Sequence, residues 1–310
     1  MIWKTSTRES TWGSGKSWKR DGTCHLAFLV VLFGLKFASS LHLSLPKTVK
    51  SNEKSNFPYL YVNGESAKER RLFMEQQFEK FHLEASRVQA ISADSLPKMR
   101  FPSWLPQSTK QPTSQELGCL TSHLRAIKEG VRRGWDKFVV IEDDIRLRSN
   151  LNMSLIWATA PKSAGLLILG VGTPNGLWER WGMLKNHRKP WTKWKRRDPV
   201  WGTLIYSITR ESAKRIQRRF PCNTTYCDLA RAVPPFVVAD YTIYSSVPTF
   251  VFNFPLVDHM GTDAFKMPST IHSGRKTSHE KASEEIPKIR RELNTAPSAV
   301  KEFVAKVQLQ

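Results

Sequence analysis

Apolar residues fall into short dense runs separated by polar stretches, and the spacing inside each run separates strands from helices. "YLYV" (59–62) is β-prone, Asn63-Gly64 breaks it, and Met74, Phe78 and Phe81 then recur at i, i+4 and i+7, one stripe of an amphipathic helix. Ser66-x-x-Glu69 has capping-box spacing for that helix. A second strand is expected near "SRVQAI" (86–91), followed by a Pro-rich loop from Pro97 to Pro112. Thr113-x-x-Glu116 is a second capping box, and Leu117, Leu120, Leu124, Ile127 and Val131 stripe the helix behind it. Phe138 to Ile141 are apolar at every position, the mark of a strand buried on both faces in a parallel sheet covered by helices. "GLLILG" (165–170), "GTLIYSI" (202–208) and "TFVFNF" (249–254) predict further strands, with a helix starting near Glu211. Strands alternating with helices predict an α/β fold: a mostly parallel, Rossmann-like sheet flanked by helices, in a single domain over residues 57–275. Residues 276–310 turn polar and charged and are expected to form a tail with little chemistry.

Ahead of that domain, residues 41–56 are polar and basic without periodicity and predict a stem or linker. "CHLAFLVVLFGLKFASS" (24–40) follows Lys16, Lys19 and Arg20 and has the n-region and h-region of a secretory signal, with Ala38-x-Ser40 as a cleavage site. Residues 1–40 are therefore expected to be a signal peptide or a short signal-anchor, the latter holding residues 24–43 at a membrane. A buried helix is one alternative, and a plastid-type transit peptide is another, because residues 1–20 are Ser/Thr-rich and basic. The expected compartment is the lumen of the secretory pathway, endoplasmic reticulum or Golgi. There a Cys222–Cys227 disulfide would staple "PCNTTYC", which carries the glycosylation acceptor Asn223-Thr224-Thr225; Asn152-Met153-Ser154 is a second acceptor.

Charge changes the picture next. The 310 residues hold 48 Lys+Arg against 27 Asp+Glu, a formal net charge of +21, which favours anionic partners without choosing among them. Against this background Glu142, Asp143 and Asp144 crowd together directly after the apolar strand. In an open α/β sheet that is the edge where ligands bind, and three adjacent carboxylates need a positive partner. The partner is either a divalent cation with oxygen ligands or the chain's own arginines, Arg146 and Arg148 being nearest in sequence.

"ELGCLTSHLRAI" followed about twenty residues later by "FVVIEDDIRL" resembles glycosyltransferase family 25, the family of lipooligosaccharide and procollagen galactosyltransferases. Glu116, Gly118, Cys119, Ser122, His123 and Glu142-Asp143-Asp144 carry the resemblance. "YVNGESAKERRLFMEQQF" is similar to the family's first strand and Arg-bearing helix, and Gly202, Tyr206 and Asp240 fit its later segments. The resemblance implies a GT-A-like fold, a nucleotide-sugar donor, with UDP-hexose expected, and a divalent metal, usually Mn2+, at the acidic triplet. It implies transfer of a hexose, galactose or glucose, to a hydroxyl of a glycan or protein acceptor.

Carried over residue by residue, Glu142 and Asp144 are the expected metal ligands, with Asp143 pointing elsewhere or contacting the sugar or ribose. Arg70, Arg71 and Ser122 are expected at the donor, with at most one of the two arginines facing the site; the alternative is a pair of helix-surface charges. His123 is a candidate catalytic residue or a satisfied core histidine. Asp240 is a candidate general base for the acceptor hydroxyl or a capping aspartate. His272 is a candidate metal or phosphate contact or an ordinary loop histidine. One segment departs from the family picture: "GLWERWGMLKNHRKPWTKWKRRDPVWG" (176–202) interleaves tryptophans with Lys and Arg. Trp191 and Trp194 are expected to stack on an acceptor, the alternative being tryptophans tucked onto the domain. A competing reading of the whole chain is a non-catalytic glycan- or nucleic-acid-binding protein on the same fold. No specific nucleic acid is expected, since the sequence has no P-loop, RNP-like motif or zinc-finger spacing.

Overall fold

The computed structural model describes residues 57–198, 200–260 and 278–309, all within one compact unit. The strands are β1 (Tyr59–Asn63), β2 (Ala85–Gln89), β3 (Lys98–Arg100), β4 (Lys137–Glu142), β5 (Ile145–Leu147), β6 (Asn150–Leu151), β7 (Leu166–Ile168), β8 (Trp191–Lys193), β9 (Ile205–Thr209), β10 (Tyr226–Asp228), β11 (Thr249–Phe252), β12 (Val257–His259) and β13 (Gln308–Leu309). The helices are α1 (Lys68–Lys80), α2 (Ser114–Arg132), α3 (Met153–Thr159), α4 (Pro174–His187), α5 (Arg210–Arg219), α6 (Ala239–Tyr244), α7 (Ser278–Leu293) and α8 (Ser298–Val307). Seven strands form the central sheet in the order β2-β1-β4-β9-β7-β11-β8, and helices flank it, as the alternation predicts.

The sheet is mostly parallel, with β9 and β8 running against the others. Phe138, Val139, Val140 and Ile141 are completely buried, which is why β4 carries no polar face. β9 lies antiparallel between β4 and β7, with Ile141 opposite Ile205. An antiparallel strand begins where its parallel neighbour ends, so the residues leading into β9, Gly202 and Thr203, arrive at the carboxyl end of β4. This single reversal supplies half of the site described below.

Thr113 caps α2 as expected: its hydroxyl accepts the Glu116 N–H at 3.1 Å and the Glu116 carboxylate accepts the Thr113 N–H at 2.8 Å. Ser66-x-x-Glu69 makes no such box; α1 starts at Lys68 with Ala67 as N-cap and no side-chain cap. Gly118 lets α2 approach the segment after β2, since a Cβ there would lie 2.7 Å from the Ile91 carbonyl oxygen. The expected Cys222–Cys227 disulfide is present.

Two expectations give way. The tryptophan-rich segment is not an open loop: it folds as α4 and β8, with Trp181 2%, Trp191 9% and Trp194 9% exposed. The expected C-terminal tail is instead α7 and α8, packed into the domain by Ala282, Ile286, Ile289, Val300, Phe303, Val304 and Val307, all buried. Trp178 and Trp181 of α4 donate to Glu285 and Glu292 of α7, and β13 pairs with β6. The 278–309 segment is thus part of the core, because its apolar positions form stripes that the charged residues between them conceal. Residues 24–43 lie outside the described residues, among which no helix is long and apolar enough to cross a membrane.

Candidate active site

β1 and β4 are parallel neighbours that end together, Val62 opposite Glu142, so the Asn63-Gly64 turn and the acidic triplet share one edge of the sheet. The three carboxylates then part company. Asp143 turns inward, accepting Asn63 Nδ2 at 2.6 Å and pairing with Arg70 Nη1 at 3.2 Å. Burial and then the adjacent Asp144 push its carboxyl up to about 6, against the pull of Arg70 and Asn63. Asn63 is itself fixed, donating to Ala67 O at 3.1 Å while its Oδ1 accepts Arg87 Nε at 2.9 Å.

Glu142 and Asp144 keep about a fifth of their side chains exposed, 21% and 23%. Glu142 Oε1 accepts the Thr203 hydroxyl and lies 3.2 Å from His123 Nε2, whose other ring nitrogen is 3.2 Å from the Tyr206 hydroxyl. Burial keeps the Tyr206 phenol protonated, so it can donate to Nδ1 while Nε2–H donates to Glu142. Asp144 meets His259 Nε2 at 3.3 Å, and the Met260 N–H donates to its carbonyl at 2.6 Å. Burial works against a charge on His259, but the charge and hydrogen bond of Asp144 outweigh it and hold the imidazole pKa above its ordinary value. Arg148 pairs with Asp258 rather than with the triplet; Arg70 and His259 take that role.

The sequence model of a family described as glycosyltransferase family 25 (LPS biosynthesis protein) matches residues 58–175, the stretch that contains β1, α1, α2 and the acidic triplet. Residues 58–175 are therefore similar to glycosyltransferase family 25. No curated protein matches the chain. Among solved structures, mouse Xyloside xylosyltransferase 1 in its apo form is similar at 11% identity and a TM-score of 0.25, over 51% of this chain and 54% of that one. The chain spans about half the length of that protein, and a likeness of this size is too slight to define the fold.

The remaining candidate residues, inside and beyond the matched stretch, sort by geometry. Arg70 faces the acids, whereas Arg71 pairs with Glu75 at 2.8 Å and lines a cleft of about 400 Å³ with Tyr61 and Arg87. Ser122 is buried: its hydroxyl accepts the Ile91 N–H at 2.8 Å and donates to Gly118 O at 2.6 Å, which holds the β2 loop against α2 and leaves nothing for a donor. Asp240 does not end a strand; it lies in the first turn of α6, 9% exposed, accepting Gly202 N at 3.0 Å and Tyr241 N at 2.8 Å. Burial raises its pKa against those two hydrogen bonds. Its observed role is to fix the Gly202-Thr203 turn that reaches Glu142. Trp191, against Phe252, and Trp194, against Tyr241 and Tyr244, are each only 9% exposed, so neither is open to an acceptor. His272 lies outside the described residues.

Cys119, His123 and Glu142 bring a sulfur, a nitrogen and an oxygen within 4.8 Å of one another. Burial pushes the Cys119 thiol well up, so it stays S–H, and both imidazole nitrogens already have partners. His123 therefore holds Glu142 in place, and Cys119 contacts Thr203. A hard divalent cation instead suits Glu142 and Asp144, oxygen donors that remain partly exposed. Three site residues escaped the sequence reading: Asn63, read only as a strand breaker, Thr203 and His259. His259 follows the apolar "FPLV" at a strand end, the same signal that marks the acidic triplet.

Proposed function

We propose that the protein transfers a hexose, galactose or glucose, from a nucleotide-diphosphate sugar, with UDP as the expected nucleotide, to a hydroxyl of a glycan or protein acceptor. The observation that carries this reading is the division of labour at the end of β4. Asp143 is paired internally with Arg70 and hydrogen-bonded by Asn63, while Glu142 and Asp144 stay partly open and held by their own partners. Those two would hold a divalent cation, Mn2+ by the family resemblance, which when bound supplies Lewis-acid stabilisation to a diphosphate leaving group. His123 and Thr203 orient Glu142 by hydrogen bonds, and Asp240 orients Thr203 through the Gly202 backbone. Arg70 Nε is buried without a hydrogen-bond partner, which leaves a guanidinium donor beside the acids for a phosphate oxygen. The Cys222–Cys227 bond supports a place in the secretory lumen, the compartment the N-terminal segment suggests.

The test is a screen of nucleotide-sugar donors for hydrolysis and transfer, with Mn2+ or with EDTA, alongside direct Mn2+ binding. Activity is expected with at least one donor, lost on chelation and restored by Mn2+. Asp144→Ala should lower both Mn2+ affinity and turnover by about a hundredfold or more. Wild-type rates in Asp144→Ala, or silence of the folded protein with every donor, would overturn the proposal.

A further inference from the structure

Trp201 directly precedes the Gly202-Thr203 turn that serves Asp240 and Glu142, and it opens a path of aromatic and basic residues leading away from the site. Its ring centroid lies 5.5 Å from that of Phe236, and Phe236 lies 5.6 Å from Tyr241. Trp201 and Phe236 are half-buried, and the exposed Lys110 places Nζ 4.9 Å from the Phe236 centroid. Arg196, exposed, acts electrostatically on Tyr241 and also on Arg219 of α5. Around Arg219 gather Arg215, one helical turn earlier on the same face, and Arg231, whose carbonyl accepts Arg219 Nε and Nη2 at 3.3 and 2.9 Å.

Four arginines in one neighbourhood repel one another. Among the described residues no carboxylate pairs with any of the four, although most other arginines of the domain find one. Burial and the three neighbouring cations hold the Arg219 guanidinium below its ordinary pKa, so the cluster is under electrostatic strain that an anion would relieve. A charge run on a solvated surface would spread apart; here Arg219 is held in by two hydrogen bonds to backbone.

We propose that this face is an acceptor subsite and that the acceptor is an acidic glycan, one carrying carboxylate or sulfate groups on its sugar rings. The half-buried aromatic residues next to the site suit sugar rings, and guanidinium forks suit carboxylate or sulfate oxygens farther along the same chain. An acidic peptide would use the arginines but has no need of the aromatic pair. The inference rests on the transferase reading above for the word acceptor; the binding itself does not.

The experiment measures binding of three probes to the full chain by calorimetry at two salt concentrations: a sulfated, uronate-bearing hexasaccharide, a neutral hexasaccharide and a poly-glutamate peptide. The acidic hexasaccharide should bind with a steep salt dependence and the neutral one at least about tenfold more weakly. Arg196→Glu and Arg215→Glu should each weaken acidic-glycan binding about tenfold, whereas Lys301→Glu on α8, an equal charge change elsewhere, should change it less than about twofold. Phe236→Leu should weaken the glycan and leave the peptide unaffected. Equal effects of Arg196→Glu and Lys301→Glu would overturn the proposal, because binding would then follow net charge alone. So would a peptide that binds as tightly as the glycan and ignores Phe236→Leu, which would assign the face to an acidic protein. Donor hydrolysis by the wild-type protein without acceptor, measured in parallel, reads the transferase proposal separately. Absent hydrolysis with intact patch-dependent binding would sink that proposal alone.

Discussion

Glu129, near the end of α2, is clamped by Arg132 through Nε at 2.7 Å and Nη2 at 2.6 Å, and by Arg133 Nε at 2.7 Å. The hydrogen bonds from Arg132 lead in pulling its carboxyl from an ordinary 4.5 to about 2. A depressed carboxylate stabilises the fold above its unfolded pKa, and the contribution disappears as pH falls from about 4.5 towards 2. The group is a quarter exposed, so solvent screening limits the effect to about 1 kcal/mol. Denaturant unfolding of wild type and Glu129→Gln should therefore differ at pH 6, with a gap that narrows steadily below pH 4.5. A gap unchanged down to pH 3 would show that the loss comes from packing and not from charge. The same scale explains which site residues could be read from the chain. Glu142, Asp143, Asp144 and His123 announce themselves as charged or titratable types in a motif. Thr203 and Asn63 do not: a threonine or asparagine means a capping, turn or surface residue in most contexts, and only contact across 61 or 80 positions reveals their partners.

Two capping boxes are spelled in the sequence and only one is built, which shows where a local signal yields to tertiary structure. At α2 nothing competes for Thr113 and Glu116, and both reciprocal hydrogen bonds form. At α1 the turn after β1 is governed by Asn63, whose amide binds the Ala67 carbonyl as well as Asp143, and the helix begins one residue later than Ser66 would require. Thr113→Ala is accordingly expected to cost about 1 kcal/mol and to lower the melting temperature by about 2–4 °C in a domain of this size. Ser66→Ala should leave it unchanged within about 0.5 kcal/mol. Paired thermal melts decide the matter: equal losses in both variants would mean that the observed α1 start is wrong. Strand identity was equally legible, since "YLYV", "FVVI", "GLLILG" and "TFVF" all lie in the central sheet. Strand direction was not. A run of apolar residues reads the same whichever way its neighbours point, so the reversal of β9 that delivers Thr203 had no sequence signal.

At the scale of the whole molecule, the largest departure from the sequence reading is the C-terminal segment. "SHEKASEEIPKIRREL" is dominated by charge, yet Ala282, Ile286 and Ile289 fall at i, i+4 and i+7 on α7, and all three are buried. Val300, Phe303, Val304 and Val307 do the same for α8. Burying each larger apolar side chain stabilises the fold by roughly 1.5–3 kcal/mol, so together they rival the roughly 5–15 kcal/mol net stability of an ordinary domain. The segment also reaches the site. Arg290 of α7 donates to the Pro255 carbonyl at 3.0 Å and pairs with Asp258 at 3.3 Å, which braces β12, and β12 presents His259 to Asp144. A chain ending at residue 277 would uncover Trp181 and Phe303's partner Phe252, and strip Trp178 and Trp181 of their carboxylate acceptors. It is expected to lose its near-ultraviolet circular dichroism and its cooperative melt, whereas removal of an appended tail would change neither. Arg290→Gln separates the two contributions: the core should stay folded while β12 loosens, so turnover should fall further than stability does. A truncated chain that melts cooperatively within a few degrees of the full chain would return residues 278–309 to the status of a tail and remove the brace behind His259.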